Sequence, residues 1–226
     1  MKVLGIIPAR GGSKGVKKKN IRLLNDKPLI EYSINAAKKS KLLSHFTVTT
    51  DSEEIIDIAK QNNCNYHRRS IANSSDSSPI EPVIHEVLDS FDTDFDIIIL
   101  LQPTAPARTG KDIDEVIKMF KDDEKLECVV SVVELNDIHP ARMYNIHNQK
   151  LNSLEKENEF KRRQDLKPVY LRNGAFYAIK KDSFLSNNRL ILENKKAYIM
   201  PEEKWINIDT ERDLMIANLL IKNLDI

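Results

Sequence analysis

Short apolar runs alternate along the chain with longer stretches that place apolar residues on one side of a helix. The apolar runs are typical of buried strands and cover residues 3–8, 46–50, 97–101, 128–133, 175–179 and 197–200. The amphipathic stretches cover residues 29–39, 53–61, 80–91, 111–120 and 211–223. In the first of them, Leu29, Ile30 and Ile34 share one helix face. This alternation predicts βαβ units and an α/β fold with a Rossmann-like, mostly parallel sheet flanked by helices.

The regular pattern is interrupted between residues 139 and 167. This stretch is polar, mixed in charge and rich in Asn, and it shows no period typical of a core-facing element. Three interpretations stay open: a disordered insert, a lid, or an arm that pairs with a second subunit. Long connections without structure are uncommon inside compact domains, so we expect the segment to have a role of its own. We predict a single domain over residues 1–226, with residues 139–167 as a small dimerisation arm or lid insert.

The composition is that of an ordinary globular protein, with 41% hydrophobic and 31% charged residues. Lys and Arg number 35 and Asp and Glu number 34, so the net charge is +1 and a broad basic surface for nucleic acid is not expected. No apolar run has the length of a membrane span, and the first residues lack a signal-peptide pattern. We expect a cytoplasmic protein that binds neither nucleic acid nor membrane. Cys64 and Cys128 lack metal-site spacing and are predicted to be buried, reduced thiols.

The most informative segment follows the first predicted strand and reads PARGGSKGVKKKN at residues 8–20. Its cations are Arg10, Lys14, Lys17, Lys18 and Lys19. Glycines allow backbone N–H groups to approach an anion closely, and nearby cations supply its counter-charge. Open α/β sheets also bind ligands at the carboxyl ends of their strands. A solvated charged loop is the alternative, but this position favours a polyphosphate site, although neither a Walker sequence nor a GxGxxG motif is present.

Two other polar segments follow predicted strands. After residues 46–50, Asp51 or Ser52 is positioned to cap the helix that begins at residue 53, which is a structural role. After residues 97–101, Pro103 and Pro106 make the loop rigid. Gln102 stands just outside the sheet edge, and its amide can both donate and accept hydrogen bonds. From spacing alone, Gln102 either faces a ligand or satisfies loop backbone groups, and both interpretations stay open.

The last polar segment, NIDTERD, occupies residues 207–213 directly before the last predicted helix. Thr210 and Asp213 have the spacing of a capping box. Asp209 is not needed for that box. With Asn207 beside it at a sheet edge, Asp209 offers oxygen ligands of the kind that Mg²⁺ takes next to substrate phosphates. A cationic loop, a candidate Mg²⁺ ligand and polar loops around one crevice together favour phosphoryl or nucleotidyl transfer.

Taken in order, these segments resemble one enzyme family over nearly the whole chain. The motifs are IPARGGSKG with the following KN, TTDSEEI, RRS followed by SSD, LLQPTAPART, RNGAFY and IDTERD. They are similar to those of the acylneuraminate cytidylyltransferases, which comprise the CMP-sialic acid synthetases and their bacterial relatives for legionaminic and similar nonulosonic acids. The resemblance implies a Mg²⁺-dependent reaction in which the C2 hydroxyl of a nine-carbon α-keto acid sugar attacks the α-phosphate of CTP and pyrophosphate leaves.

The resemblance also implies roles for individual residues. The nucleotide-binding set would be Arg10, Gly11, Ser13, Lys14, Lys19, Asn20 and Arg69. Gln102 would orient the sugar, Arg163 and Tyr177 would contact the sugar or a partner subunit, and Asp209 with Asn207 would hold Mg²⁺. Arg10, Lys19 and Asp209 would be the catalytic residues. Members of the family are dimers, so we expect a homodimer in which residues 139–167 reach towards the partner's site.

The chain departs from the family pattern at four places. Lys17 and Lys18 stand where a Pro is usual, Asn207 replaces the first acid of a DID motif, Leu171 replaces an Arg with Arg172 adjacent, and Leu190 and Ile191 stand where aromatic residues face the substrate's acyl group. The last two departures leave the sugar open between sialic and legionaminic types. The alternatives are a cytidylyltransferase for 3-deoxy-octulosonate, a sugar-phosphate nucleotidyltransferase, and a catalytically silent nucleotide-binding regulatory protein. Only Asn207 favours the last of these.

Overall fold

The computed structural model describes residues 1–75, 78–224 and 226. Asp76, the acid of the SSD motif, lies outside the described residues. The strands are β1 (Val3–Pro8), β2 (Leu23–Leu24), β3 (Lys27–Pro28), β4 (His45–Thr50), β5 (Asn65–Arg68), β6 (Ile97–Leu100), β7 (Cys128–Leu135), β8 (Tyr144–His147), β9 (Lys150–Ser153), β10 (Val169–Lys180) and β11 (Lys195–Met200). The helices are α1 (Leu29–Lys39), α2 (Glu53–Gln61), α3 (Ile80–Asp89), α4 (Gly110–Asp122), α5 (Lys181–Asn187) and α6 (Glu211–Leu220). Within these residues, no helix is both long and apolar enough to cross a bilayer.

One large sheet organises the molecule, with the strand order β11–β7–β10–β6–β1–β4–β5. Four of its pairings, β11–β7, β6–β1, β1–β4 and β4–β5, are parallel. Only β10 runs antiparallel to both of its neighbours, β6 and β7. The other strands form the small hairpins β2–β3 and β8–β9. The predicted α/β fold with a mostly parallel, Rossmann-like sheet is therefore confirmed.

The core lies on both faces of this sheet because successive side chains of a strand point to opposite sides. β1 places Val3 and Ile7 in the core cluster that contains residues of α1, α2 and α4. The same strand places Leu4 and Ile6 in the cluster that contains residues of α3 and α5. A strand buried on both faces needs a continuous apolar sequence, and this is why β1 is so clear in the sequence.

The elements that the sequence did not reveal are short, polar or irregular. β5 has the sequence NYHR, mostly exposed, and pairs on one side only with β4. α5 is only 7 residues long and directly follows β10. β10 begins at Val169 rather than at residue 175 because it continues through the polar RNG sequence, where the pairing with β7 shifts between Arg172 and Tyr177. Such a shift is a bulge, which an apolar pattern does not predict.

The helix starts test two capping predictions. α6 begins with the predicted capping box, in which the Thr210 side chain accepts from the Asp213 backbone N–H and the Asp213 side chain accepts from the Thr210 backbone N–H. The capping prediction for α2 is wrong. Ser52 is its N-cap residue but makes no side-chain capping bond, and the Asp51 carboxylate accepts a hydrogen bond from a different loop instead.

Residues 139–167 connect β7 to β10 and contain defined elements. They form the exposed β8–β9 hairpin and three 3₁₀ turns, at Pro140–Arg142, Lys156–Asn158 and Arg163–Asp165. We call this segment the arm. Its role as a lid or dimerisation insert within a single domain of residues 1–226 stays a prediction.

Candidate active site

A cleft of about 670 Å³ opens beside the ends of β1, β5 and β6, the bulge of β10 and the segment before α6. The predicted site residues that line it are Arg10, Ser13, Lys14, Lys19, Asn20, Arg69, Gln102, Tyr177, Asn207 and Asp209. They come from segments that are far apart in sequence. The parallel strands bring these segments together because their carboxyl ends share one edge of the sheet. Gly11 and Arg163 are not among the lining residues.

Ser13 and Asn20 hold the glycine-rich loop in shape. The Ser13 hydroxyl donates to the Val16 carbonyl and accepts from the Lys19 backbone N–H at 3.0 Å. The buried Asn20 side chain donates to the Arg10 carbonyl at 2.9 Å. These bonds connect the beginning of the loop to its end. Ser13 and Asn20 thus shape the loop in addition to lining the cleft.

Contacts on two sides fix the position of the loop. A Cβ on Gly15 would overlap the carbonyl oxygen of Asp209, so only glycine fits at position 15. Lys18 has a φ of 54°, and its ammonium lies 2.7 Å from Oε1 of Glu54 on α2. The loop is therefore held between α2 and the segment that precedes α6.

Asp51 makes a further contact with this loop. Its Oδ1 accepts a hydrogen bond of 2.7 Å from the Gly11 backbone N–H. A Cβ on Gly11 would lie 2.9 Å from Cβ of Ser52, which is closer than real Cβ contacts. Gly11 is thus packed against the end of β4. This contact could not be predicted from the sequence because its partners are 40 positions apart.

Arg69 provides a largely buried positive charge after β5. Its Nε donates to Oγ1 of Thr49 at 3.3 Å. Burial lowers the pKa of Arg69 to about 10, while the carboxylate of Asp51 acts in the opposite direction. The guanidinium still carries its proton at neutral pH, so it can face a phosphate.

Lys19, Asp209 and Asn207 form a compact polar group. Asp209 Oδ1 lies 2.9 Å from Lys19 Nζ, and Asp209 Oδ2 accepts from Asn207 Nδ2 at 2.7 Å. In the part of the chain that the structure describes, no three His, Cys, Asp or Glu residues cluster in a way that could hold a metal ion. The oxygens offered here are the exposed Asp209 carboxylate and Asn207 Oδ1. This small donor set suits a hard cation that takes its other ligands from phosphates and water.

Gln102 approaches the bulge of β10. Gly174 has a φ of +74°, and a Cβ on it would lie 3.1 Å from Gln102 Oε1 and 3.6 Å from Asn207 Oδ1. Two side-chain amide oxygens therefore converge on a residue without a side chain. Gln102 lines the cleft and makes no side-chain hydrogen bond to loop backbone within the described residues. Its contact with a ligand stays a prediction.

Comparisons with known proteins point to one family. The sequence model of the family described as Cytidylyltransferase matches residues 4–218. The chain belongs to the cytidylyltransferase family. It is 34% identical to the N-acylneuraminate cytidylyltransferase of Escherichia coli O18:K1:H7, over 96% of this chain but only 51% of that protein. It is also 34% identical to the CMP-N,N'-diacetyllegionaminic acid synthase of Campylobacter jejuni, over 98% of this chain and 97% of that protein.

A solved structure shows the same fold. It is a CMP:2-keto-3-deoxy-manno-octonic acid synthetase in complex with CTP, with a TM-score of 0.75, 17% sequence identity, and 98% and 99% of the two chains covered. The resemblance to acylneuraminate cytidylyltransferases that the motifs indicate is confirmed by the relatives of higher identity.

The cleft of this cytidylyltransferase also contains residues to which the sequence analysis gave no role. Thr104, Arg172, Ser78 and Ile80 are lining residues. The Thr104 carbonyl accepts from the Ile208 backbone N–H at 2.9 Å and so joins the Gln102 loop to the Asp209 segment. The serine-rich run before α3 is a helix-start signal that could have indicated the position of Ser78.

Arg108, which the sequence places in the same polar loop as Gln102, is a structural residue. Its guanidinium is fully buried and donates to the Ala175 carbonyl at 3.0 Å and to the Ser33 hydroxyl. Burial lowers the pKa of Arg108 to about 9. This side chain anchors the loop that carries Gln102 to β10 and α1.

Three residues that the resemblance placed near the sugar lie elsewhere in the cytidylyltransferase chain. Arg163 pairs with Asp137 and lines a second hollow at the base of the arm. Leu190 is buried in the core with Phe184, and Ile191 packs against the same cluster. The expectation that these two residues replace aromatic contacts to the acyl group is wrong for Leu190, because the core already surrounds it. A contact from Arg163 to a partner subunit stays a prediction.

Proposed function

We propose that this cytidylyltransferase joins CTP to the C2 hydroxyl of a nine-carbon nonulosonic acid of the sialic or legionaminic type. The products would be the CMP-sugar and pyrophosphate. One observation carries the proposal: a single cleft contains both the cationic glycine-rich loop with Arg69 and the polar wall of Gln102, Gly174 and Tyr177. The first set suits a triphosphate, and the second suits a polyhydroxylated acid. The likeness to a CMP-legionaminic acid synthase over nearly the full length of both chains supports the choice of sugar.

In the proposed reaction, the C2 hydroxyl loses its proton to solvent water and its oxygen bonds to the α-phosphorus, while the bond from that phosphorus to the bridging oxygen breaks. Negative charge then grows on the departing pyrophosphate. Arg10, Lys14 and Arg69 line the cleft and would neutralise that charge. Backbone N–H groups of the glycine-rich loop would approach the phosphates closely. Gln102 and Tyr177 would orient the sugar so that its C2 hydroxyl faces the α-phosphate.

The proposal includes Mg²⁺, for which Asp209 and Asn207 are the proposed protein ligands. The Asp209 carboxylate is exposed to the cleft, and the Asn207 amide already contacts it through its nitrogen. Bound there, Mg²⁺ would offset phosphate charge and favour ionisation of the attacking hydroxyl. Lys19 lies against the same carboxylate and would join the phosphates in charge neutralisation.

The proposal also includes a homodimer that forms through the arm. Ile146 and Leu151 are cross-strand neighbours on the β8–β9 hairpin and are 73% and 64% exposed. Such an apolar pair on a projecting hairpin suits a second copy of the chain. Ile146→Lys with Leu151→Lys should convert a dimer to a monomer in sedimentation experiments. Asn145→Lys with Asn152→Lys changes the adjacent cross-strand pair and is the matched control.

The test of the function is pyrophosphate release from each of the four NTPs with Mg²⁺. The acceptors are N-acetylneuraminate, legionaminate, pseudaminate, 3-deoxy-octulosonate and a sugar 1-phosphate. We expect release with CTP and one nine-carbon acid only. Release with 3-deoxy-octulosonate or the sugar phosphate would establish one of the alternative enzymes. CTP binding without release on the whole panel would favour the silent regulatory protein. Because the reaction uses CTP, a cytoplasmic location is part of the proposal.

A further inference from the structure

We propose that Asp51 is a positioning residue that holds the glycine-rich loop and Arg69 in the arrangement that receives the nucleotide phosphates. This inference rests on the proposed function for its ligand. The geometry that carries it concerns Gly11, Asp51, Thr49 and Arg69. None of these contacts involves the helix cap that the sequence predicted for Asp51.

Asp51 contacts the glycine-rich loop directly. The 2.7 Å bond from the Gly11 N–H to a carboxylate oxygen is charge-assisted and therefore among the stronger hydrogen bonds. Ser52 also packs against Gly11, because a Cβ on Gly11 would lie only 2.9 Å from the Ser52 Cβ. These two contacts fix the position of Gly11 at the end of β4. The orientation of the backbone N–H groups that follow Gly11 depends on that position.

Arg69 also contacts the end of β4. Thr49 is the second-last residue of β4, and Asp51 directly follows the strand. Thr49 accepts a hydrogen bond from Arg69 Nε at 3.3 Å, and the Asp51 carboxylate stabilises the charged form of Arg69. One end of one strand therefore orients both the loop and the buried guanidinium.

The charges of Arg10, Arg69 and Asp51 also affect one another. Arg10 and Arg69 are both positive, and Arg10 disfavours the charged form of Arg69. Two cations that share one phosphate site repel each other, and a nearby anion offsets that repulsion. The Asp51 carboxylate does so at Arg69, whose charged form it stabilises. Within the described residues, His67, whose Nδ1 lies 3.2 Å from Thr49 Oγ1, and Glu86 also face Arg69 from the protein side.

A role of Asp51 limited to stabilising the start of α2 does not account for these contacts. α2 already has Glu53 and Glu54 in its first turn, and its N-cap residue makes no side-chain bond. Glu54 instead pairs with Lys18 at the other end of the same loop, at 2.7 Å. The β4–α2 junction therefore holds the loop near both of its ends.

The experiment compares Asp51→Ala, Asp51→Asn and Glu53→Ala. Glu53→Ala is the matched control because it removes the same charge two positions away. Glu53 pairs with Arg68 and not with the loop. Two quantities are measured on each folded variant: the Kd for CTP by calorimetry, and hydrogen exchange in peptides that cover residues 9–17 without nucleotide. Asp51→Asn keeps an oxygen acceptor for Gly11 but loses the charge near Arg69.

We expect Asp51→Ala to weaken CTP binding about tenfold and to increase loop exchange, as loss of a charge-assisted bond predicts. Asp51→Asn should keep slow loop exchange and weaken binding about threefold, and Glu53→Ala should match the wild type. If Asp51→Ala matches Glu53→Ala in both measurements, or lowers only thermal stability, the proposal is wrong. If the wild type does not bind CTP, the proposed function fails, while the exchange measurement still decides whether Asp51 positions the loop.

Discussion

The ammonium of Lys19 lies 2.9 Å from Oδ1 of Asp209 and also donates to the Ile208 carbonyl at 3.0 Å. A loop cation therefore already neutralises the carboxylate that we propose as the Mg²⁺ ligand. A metal ion that approaches Asp209 competes with this ammonium because both are attracted to the same charge. Nucleotide phosphates offer Lys19 another anion, so nucleotide and metal should bind more tightly together than separately.

This competition predicts the behaviour of Lys19→Met. Without nucleotide, the variant should bind Mn²⁺ about fivefold more tightly than the wild type, since a like charge is removed from the ligand. Its KM for CTP should rise about tenfold because a phosphate contact is lost. Electron paramagnetic resonance measures free Mn²⁺ directly. Lys17→Met removes one charge from the same loop and is the control; equal Mn²⁺ affinity in the two variants contradicts the competition.

Asp209→Asn separates the role of the carboxylate from helix capping. Turnover should fall by roughly 100-fold or more if Asp209 holds the metal ion. The free energy of unfolding should hardly change, because the side chain is 61% exposed and the Thr210–Asp213 box remains. Thr210→Ala is the converse variant, with about 1 kcal/mol lower stability and nearly normal turnover. Urea unfolding and steady-state rates on both variants check this; a shared loss of stability would indicate that Asp209 is structural.

The sequence predicted those features that depend on nearby residues. β1 was visible because a strand buried on both faces is continuously apolar, with Leu4 and Ile6 on one side and Val3 and Ile7 on the other. The capping box of α6 was visible because its two partners are three positions apart. The edge strand β5 was not visible, since it pairs on one side only and its residues are mostly exposed.

The site was predictable in its composition but not in its contacts. The glycine-rich loop and Gln102 could be singled out because polar residues directly follow apolar strands, and Asp209 because its polar segment directly precedes the last helix. The bond between Asp51 and Gly11 joins positions 40 apart, and the approach of Gln102 to Gly174 depends on the bulge in β10. Arg163 was expected to contact the sugar or a partner subunit; within its own chain it pairs with Asp137 and lines a separate hollow.

Asn207→Asp restores the acidic pair that is usual in the family. The new carboxylate would replace a nitrogen that now donates to Asp209 Oδ2 at 2.7 Å, so two like charges would meet and raise the pKa of one of them. Without metal, this variant should melt at a lower temperature than the wild type at pH 8. The deficit should shrink as the pH falls through the raised pKa and disappear only near the ordinary pKa of an aspartate in the unfolded chain, because the repulsion requires both groups to be ionised.

Mg²⁺ should also abolish that deficit at pH 8, and Mn²⁺ should bind more tightly than to the wild type. Asn207→Ala, which removes the amide without adding charge, is the control. Unchanged metal affinity in Asn207→Asp would place residue 207 outside the metal's ligands.

The two thiols should be unreactive in the folded protein. Both cysteines are free; Cys128 is buried, whereas Cys64 is only partly buried. Burial raises the pKa of the Cys64 thiol to about 11 and also raises that of Cys128. A raised thiol pKa lowers the thiolate fraction, which for Cys64 is about one in a thousand at pH 8. Ellman's reagent should therefore react slowly with native protein and quickly after denaturation; rapid reaction of the native protein would contradict this prediction.

Gly174→Ala tests the polar wall that we assign to the sugar. Alanine at a φ of +74° is strained by about 1 kcal/mol, and its Cβ would lie 3.1 Å from Gln102 Oε1, so the Gln102 amide must move. We expect a several-fold higher KM for the sugar acid and a nearly unchanged KM for CTP, because the glycine-rich loop is not disturbed. Gly12→Ala adds the same methyl group at a position where no atom of the described residues lies within 4 Å, and it should leave the KM for the sugar acid unchanged. If both variants change that KM equally, Gln102 and Gly174 do not form the sugar-binding wall.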